Sequence, residues 1–287
     1  MGGLVFLKRV CYDSNMKVSI AIPIYHSSDI LFDFTKQTLE SIQSSEHELH
    51  IILINNYSLP EFYPMQDKFN LHESIKSFTV IDNPKGNHVP SAWNLGIKMG
   101  LEAEATSNVA AADYVAVLNN DLILHSKCID NLIKFANAHQ EFILWSASEW
   151  LDQKTLLEAQ LEDVFSEHPH FSFFMVNQKT IDMVGWIDEN LKMAYMEDGD
   201  MHYRIILSGN KAGKTESAKF YHYGSRTIKV DEDLYDQNKR TYEDNRAYIW
   251  QKWHIDFHGK VFVPPEEMLK VGYQHPFNNS DKDWRNW

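Results

Sequence analysis

The sequence predicts an α/β protein with a mostly parallel central sheet flanked by helices, and three observations support this prediction. Strand-like and helix-like segments alternate through the first half of the chain. The strand-like segments are apolar runs without polar alternation, which is typical of strands buried on both faces. The chain has 287 residues, of which 44% are apolar, and such a chain can bury the core of one large α/β domain. Strands joined by helical crossovers form a parallel, doubly wound sheet.

Four strands and two helices account for the first half of the chain. The predicted strands are Lys17–Tyr25, Leu49–Ile54, Phe78–Ile81 and Tyr114–Leu118, and the predicted helices are Asp29–Ser44 and Ser91–Leu101. Pro23 lies near the end of the first strand. Because proline lacks a backbone N–H group, we expect the chain to leave the ladder there. Residues 1–15 fit none of these elements and are interpreted as an extension.

The second half of the chain is less regular. Its predicted elements are a strand over Phe171–Val176, a short helix over Gln178–Val184, a helix over Glu197–Leu207 and a short strand over Lys219–Tyr223. The run Gly209–Thr215 resembles a P-loop, but it is one residue short and follows a helix, so we interpret it as a turn before an edge strand. From Asp231 onward the chain is aromatic and charged, which suggests a long helix that packs on the sheet.

The composition excludes several classes of protein. Lys and Arg total 27 against 40 Asp and Glu, and the resulting net charge of −13 disfavours broad binding to nucleic acid or anionic membranes. Two cysteines provide neither a disulfide framework nor a zinc cluster. No apolar run approaches the roughly 20 residues that span a bilayer, and the opening segment is too short for a signal-peptide core. We therefore expect a soluble, cytoplasmic protein.

Polar residues follow three of the predicted strands at their carboxyl ends. They are Tyr25-His26, Asn55-Asn56 and Asn119-Asn120-Asp121. In open α/β sheets, ligands bind outside the carboxyl ends of the strands. The chain lacks the GxGxxG motif of dinucleotide-binding domains, so these strand ends predict a ligand site of another kind.

Acidic residues and one histidine are the candidates for catalysis and metal binding. Asp121 ends a buried strand, where a carboxylate can bind a hard divalent cation, although aspartate there is more often a turn or cap residue. The run Glu197–Asp200 begins a predicted helix, whose dipole favours carboxylates, and its last residue can pair with Arg204. His222 ends the last predicted strand and precedes a polar loop.

Seven motifs in one order resemble the inverting family 2 glycosyltransferases of the GT-A fold. They are Pro23-x-Tyr25, Asn55-Asn56, Ser91-Ala92-Trp93-Asn94-Leu95-Gly96, Leu118-Asn119-Asn120-Asp121, Gly185-Trp186-Ile187-Asp188-Glu189, Glu197-Asp198-Gly199-Asp200 with Arg204, and His222. Each is weak singly, but the shared order is specific, and the resemblance covers Val18 to Thr227. It implies a Rossmann-like GT-A domain over residues 1–227, which binds the nucleotide sugar, and an aromatic-rich helical extension over residues 228–287.

The resemblance also implies roles for individual residues. Asp121 and His222 match the family's metal ligands, so the implied cofactor is Mn²⁺ or Mg²⁺, which neutralises the leaving diphosphate. Asp198 matches the general base, which deprotonates the acceptor hydroxyl on the face opposite the leaving group, as inversion requires. Glu197 is expected to shape the acceptor site beside it.

A nucleotide-sugar pocket is implied at the strand ends. The matching residues are Pro23, Tyr25, Asn55, Asn56 and Asn94, with Asn119 or Asn120 at the ribose or the metal, and with Arg226, assigned from charge and position, at the diphosphate. Many relatives carry Asp-Asp where this chain has Asn55-Asn56. An amide both donates and accepts hydrogen bonds, whereas a carboxylate only accepts them. The nucleobase that this pocket prefers can therefore differ from that of those relatives.

The leading hypothesis is a metal-dependent inverting glycosyltransferase that moves a sugar from a nucleoside-diphosphate donor to a hydroxyl acceptor. A glycan or surface polysaccharide is the expected acceptor, by family frequency. One alternative, a nucleotide-sugar-binding pseudoenzyme, predicts a lost base or metal ligand, and the other, a nucleotidyltransferase, predicts a basic glycine-rich loop after the first strand. Neither feature is present. The extension is interpreted as a lid, an acceptor wall or a dimer contact, and a homodimer is left open.

Overall fold

A computed structural model describes residues 16–102, 111–224 and 230–253. Its strands are β1 (Lys17–Ile24), β2 (Glu48–Asn55), β3 (Ile75–Asp82), β4 (Tyr114–Leu118), β5 (Leu122–Leu124), β6 (Phe142–Glu149), β7 (Phe165–Ser166), β8 (Phe173–Val176) and β9 (Lys211–His222). Its α-helices are α1 (Asp29–Ser41), α2 (Val89–Leu101), α3 (Cys128–Ala138), α4 (Gln178–Val184), α5 (Glu197–Leu207) and α6 (Glu232–Trp253). Short 3-10 helices cover Pro60–Phe62, Gln66–Lys68 and Gln153–Glu158.

Strands β1 to β4 form the parallel half of one sheet, in the order β3-β2-β1-β4. Val18 of β1 lies opposite both Leu49 of β2 and Tyr114 of β4. Pairing on both sides leaves β1 without a free edge, and helices bury both of its faces, which explains its unbroken apolar run. The strand ends at Ile24, one residue beyond Pro23, so the predicted exit from the ladder is confirmed to within one residue.

The other half of the sheet is mixed and continues the order through β8, β6, β9 and β5. Strand β8 is antiparallel to both β4 and β6, whereas β6 and β9 run parallel. Helix α3 and strands β5, β6 and β7 are additions to the elements expected from the sequence. The predicted edge strand Lys219–Tyr223 is wrong in extent and place, because β9 begins at Lys211 and lies between β6 and β5.

Helices cover both faces of the sheet. Alternate residues of β1 face opposite sides, so Ile20 and Ile22 pack in one core with α1 and α3, whereas Ala21 packs in the other with α2 and α5. Helix α2 approaches β1 closely through Gly96, where a Cβ atom would lie 2.5 Å from the Cβ of Ala21. This two-sided packing confirms the predicted α/β architecture with helices on both faces.

Helix α6 packs on the sheet domain, as the aromatic sequence predicts. Trp253 is fully buried and meets Tyr203 of α5 edge to face, with ring centroids 5.2 Å apart. Ile249 joins the same small core. The ends of the chain, at residues 1–15 and 254–287, lie outside the described residues. Across the described ranges, no helix is both long and apolar enough to cross a bilayer.

Candidate active site

A cavity of about 410 Å³ lies at the carboxyl ends of strands β1, β2 and β4, the edge at which the sequence predicts a ligand. Nine of the predicted site residues line it. They are Pro23, Tyr25, Asn56, Asn119, Asn120, Asp121, Glu197, Asp198 and His222. Parallel strands bring their ends to one edge of the sheet, and this brings together residues up to 199 positions apart, from Pro23 to His222.

Two predicted nucleotide-site residues lie outside this cavity lining, and both amides are engaged within the protein. Asn55 donates to the carboxylate of Asp82 at 2.8 Å and accepts from the N–H of Ser58 at 3.0 Å. Asn94 donates to the carbonyl of Ile187 at 2.8 Å and accepts from the same residue's N–H at 2.9 Å. Asn55 therefore fixes the loop after β2, and Asn94 joins α2 to the segment before α5. Arg226, the third, lies outside the described residues.

Asn56 is held in one orientation by the next loop. Its side-chain oxygen accepts from the Nδ2 group of Asn83 at 2.8 Å. The Asn83 amide is oriented in turn by backbone groups, because its oxygen accepts from the N–H of Lys85 and its Nδ2 donates to the carbonyl of Gly86. Asn56 therefore offers its NH₂ group, a hydrogen-bond donor, as its remaining polar end.

Asp121 and His222 meet through the pairing of β5 with β9. Leu122 lies opposite His222 in this antiparallel ladder, and the preceding residue, Asp121, places its Oδ1 3.1 Å from Nε2 of the histidine. Both side chains are largely buried and line the cavity. Ser172 Oγ lies 3.4 Å from the other ring nitrogen of His222.

This pair fits a divalent cation that keeps open coordination positions. One carboxylate and one imidazole supply two ligands, and oxygens of a diphosphate and of water are suitable for the rest. Within the described ranges, no group of three or more His, Cys, Asp or Glu side chains forms a closed metal site. The residues therefore support a cation site in which Asp121 and His222 supply two ligands and the substrate and water supply the others.

Three carboxylates at the start of α5 occupy three different environments. Glu197 is buried, and this burial, together with the charge of Asp198, raises its pKa well above the usual value. Asp198 is exposed to the cavity and accepts from the N–H of Gly199 at 2.7 Å. Asp200 is fully buried and pairs with Nε of Arg204 at 2.9 Å, which confirms the predicted ion pair. Only the middle carboxylate is both at the cavity and open to a substrate.

The backbone just before Glu197 is strained. Met193, Tyr195 and Met196 have φ angles of 53°, 75° and 79°, in a region that residues with a Cβ atom seldom adopt. Such conformations cost on the order of 1–3 kcal/mol each and persist where the surroundings fix them. Here Asn245 of α6 supplies the fixing contacts, because its Nδ2 lies within hydrogen-bonding distance of the carbonyls of Lys192, Ala194 and Tyr195.

Helix α6 forms one wall of the cavity, through Leu234 and Asn238. At its N-terminus, Asp231 accepts from the hydroxyls of Tyr25 at 3.3 Å and Ser27 at 2.9 Å. Neither Asn238 nor Asn245 is among the residues singled out from the sequence. A signal was present, because Asp231, Asn238 and Asn245 follow one another at intervals of seven and share one helical face.

The cavity is lined by amides, aromatic rings and acids. Five asparagines contribute, namely Asn56, Asn87, Asn119, Asn120 and Asn238, together with aromatic side chains including Tyr25, Trp93, Phe171 and Tyr195. Among the described lining residues there is no lysine or arginine. Such a surface suits a neutral, hydroxyl-rich group, and a bound diphosphate needs a cation from another source.

Comparison with solved structures places the fold. The crystal structure of GalNAc-T7 with UDP, GalNAc and Mn²⁺ matches with a TM-score of 0.53 at 12% identity, over 72% of this chain and 44% of that one. The crystal structure of S. aureus TarS matches with a TM-score of 0.50 at 14% identity, over 75% of this chain and 38% of that one. The matched region is thus less than half of either protein. These likenesses concern the fold, and they support the predicted GT-A architecture.

Comparison of sequences gives a result for the family. Curated protein sequences yield no match. The model of the family described as glycosyl transferase family 2 matches residues 19–178, which is more than half of the chain and includes most of β1, all of β2 to β8 and the Asp121 motif. The chain therefore belongs to glycosyl transferase family 2.

Proposed function

We propose that this protein transfers a sugar from a nucleoside-diphosphate donor to a hydroxyl acceptor, with inversion at the anomeric carbon. The observation that carries the proposal is the meeting of Asp121, His222 and Asp198 in one cavity with the strand-end residues of the predicted nucleotide pocket. Family membership and the structure of GalNAc-T7 with UDP support a nucleotide-sugar donor.

Asp121 and His222 are proposed to hold Mn²⁺ or Mg²⁺. The cation would offset the charge that develops on the leaving diphosphate. Two features support this assignment. The pair fits an open cation site, and the described cavity lining contains no lysine or arginine that could neutralise the diphosphate instead. The neighbouring GalNAc-T7 structure contains Mn²⁺.

Asp198 is proposed as the general base. Its carboxylate is exposed to the cavity, so an acceptor hydroxyl can approach it and give up its proton as the new glycosidic bond forms. The raised pKa of the buried Glu197 favours the protonated form of that carboxyl. Asp198 is therefore the acid of this adjacent pair that a substrate in the cavity can reach.

The proposed acceptor is a glycan. Aromatic rings and neutral amides line the cavity, and these groups bind sugars by stacking on ring faces and by hydrogen bonds to hydroxyls. Tyr195 belongs to the strained segment three residues before Asp198 and lines the cavity, and we propose that it contacts an acceptor ring near the general base.

Calorimetric titration with UDP, GDP, dTDP and CDP, with Mn²⁺ and with EDTA, tests this function. We expect one nucleotide to bind tightly with Mn²⁺ and weakly with EDTA, and the matching nucleotide sugar to release nucleotide in the presence of a sugar acceptor. If a folded sample binds none of the four nucleotides, the proposed donor site is wrong. Binding of a nucleotide sugar without any turnover across an acceptor panel would favour a pseudoenzyme.

A further inference from the structure

Helix α6 forms one wall of the cavity and has one polar face turned toward the sheet domain. Asp231, Asn238, Asn245 and Lys252 follow one another at intervals of seven residues, which is close to two helical turns. We call these four residues the polar stripe. All four are buried or half-buried, whereas most residues between them are exposed. The polar stripe is therefore the face by which α6 docks.

Three residues of the polar stripe are engaged by the rest of the protein. Asp231 accepts from the hydroxyl of Ser27 at 2.9 Å. The oxygen of Asn245 accepts from the N–H of Lys192 at 2.7 Å, and its Nδ2 donates to carbonyls of the same loop. Lys252 donates to the buried carboxylate of Asp200 at 2.7 Å. These contacts fix α6 at both ends and near its middle.

Asn238 is the exception within the polar stripe. Its side chain is only 6% exposed and lines the cavity, and its Oδ1 has no hydrogen-bond partner among the described residues. A buried amide oxygen without a hydrogen-bond partner destabilises a protein, so such atoms are rare unless they serve a ligand. Leu234, one turn earlier on the helix, lines the same cavity, so an apolar side chain lies next to the Asn238 amide.

The position of Asn238 indicates which part of a substrate it meets. It lies one heptad, about 10 Å along the helix, from Asp231 on the Tyr25 side and equally far from Asn245 on the side of Asp198. We expect the nucleotide on the side of Tyr25 and the proposed general base, Asp198, on the side of Asn245. In a transfer reaction, the group between nucleotide and base is the sugar that moves.

We propose that Asn238 binds a hydroxyl group of the transferred sugar in the donor nucleotide sugar, so that the C-terminal helix is part of the donor site. An amide matches a hydroxyl because both donate and accept hydrogen bonds. The inference rests on the proposed function and adds a sugar-binding residue from outside the region matched by the family model, which ends at residue 178.

The test compares Asn238→Ala with Lys239→Ala, a control at an exposed position of the same helix. Calorimetry with Mn²⁺ measures the Kd of the best-binding nucleoside diphosphate and of its hexose conjugate. For Asn238→Ala we expect the nucleotide Kd to stay within about twofold and the nucleotide-sugar Kd to rise about tenfold. The control should change neither. Thermal unfolding should show an equal or higher Tm for Asn238→Ala, because the substitution removes an unpartnered buried amide.

Each other outcome overturns the inference in a recognisable way. Equal loss of nucleotide and nucleotide-sugar binding would place Asn238 at the nucleotide. An unchanged nucleotide-sugar Kd with a raised KM for the acceptor sugar would place it at the acceptor. A lower Tm would make Asn238 a structural residue. If the unaltered protein binds no nucleotide or nucleotide sugar, the proposed function itself fails, and this result is distinct from all of these.

Discussion

The side-chain amide nitrogen of Asn245 lies 3.1 Å from the backbone carbonyl of Tyr195. Tyr195 has a φ angle of 75°, and Glu197 and Asp198 begin helix α5 two residues later. A residue of the C-terminal helix therefore holds the backbone that presents the proposed base, across 50 positions of sequence. The helix has a part in the geometry of the site as well as in covering it.

Replacement of Asn245 by alanine should separate catalysis from nucleotide binding. The variant loses hydrogen bonds to the 192–195 backbone, so we expect a loss of about 2 kcal/mol of stability. The strained segment is then free to relax, and kcat should fall by at least tenfold while nucleotide affinity is retained. Turnover and calorimetry measure the two effects, with exposed Gln251→Ala as the control. Unchanged kcat in a folded Asn245→Ala protein would contradict a positioning role.

Asp198→Asn should abolish transfer and preserve binding of the nucleotide sugar. An amide has nearly the shape of the carboxylate but cannot take the proton of the acceptor hydroxyl at neutral pH. We expect kcat to fall by two to four orders of magnitude, the usual contribution of a general base. Calorimetry with nucleotide sugar and Mn²⁺ supplies the comparison. Loss of binding would instead assign Asp198 to the donor site.

Asp121→Ala should weaken nucleotide binding only when Mn²⁺ is present. The variant leaves His222 without the carboxylate that lies 3.1 Å from its ring, so one of two proposed cation ligands is gone. In EDTA, the variant and the unaltered protein should bind nucleotide equally and weakly. Titration of nucleotide at several Mn²⁺ concentrations measures this dependence. If the dependence on Mn²⁺ does not change, Asp121 is not a metal ligand.

Lys252→Met should destabilise the protein strongly. Lys252 lies 2.7 Å from both Asp188 and Asp200, and all three side chains are buried. The variant leaves the buried Asp188 without its counter-ion and leaves Asp200 with Arg204 alone. We expect a loss of about 3–5 kcal/mol in the free energy of unfolding. Lys192→Met, which breaks an exposed pair with Asp244, is the matched control and should cost less than about 1 kcal/mol. Similar losses in urea unfolding for both variants would refute this difference.

Acid should destabilise the fold through His26. Burial lowers the pKa of this fully buried histidine from 6.5 to about 4, so the folded state holds it neutral while the unfolded state takes up a proton. Its contribution to stability is complete above pH 6.5 and is lost as the pH falls toward 4, by at most about 1.4 kcal/mol per pH unit.

The His26→Gln variant isolates this effect. The raised pKa of Glu197 acts in the opposite direction, because stability falls as the pH rises above the unfolded-state value of that carboxyl. The difference in unfolding free energy between unaltered protein and His26→Gln cancels the Glu197 contribution. We expect this difference to shrink as the pH falls from 7 to 4. A difference that is constant over this range would contradict a neutral buried histidine.

Much of the fold could be predicted because its signals are local. Tyr114–Leu118, Gln178–Val184 and Glu197–Leu207 have the same bounds in the structure as in the prediction. The full length of β9 could not be predicted, because its first residues pair with β6, and this pairing depends on contacts far apart in sequence. Local apolar pattern does not show which distant strand supplies a neighbour.

The candidate site shows the same division at the scale of single residues. The strand ends are predictable from topology, but the direction of each side chain is not. Asn55 and Asn56 are neighbours with equal chemistry, and because side chains alternate along a strand, only Asn56 reaches the cavity. Asn238 was missed because its importance depends on the docking of α6, which a single residue type does not reveal.

The pairing of Asp200 with Lys252 has a consequence for how the molecule forms during synthesis. Asp200 of helix α5 is synthesised 52 residues before Lys252, the second cation that pairs with it after Arg204, and Tyr25 is synthesised 206 residues before Asp231. Domains synthesised from the N-terminus can assemble their early strands first. The strained loop gains its contacts with Asn245, and Asp200 gains Lys252, only when nearly all of α6 has been made. We therefore expect nascent chains that stop before α6 to form the parallel half of the sheet and to lack a competent cavity.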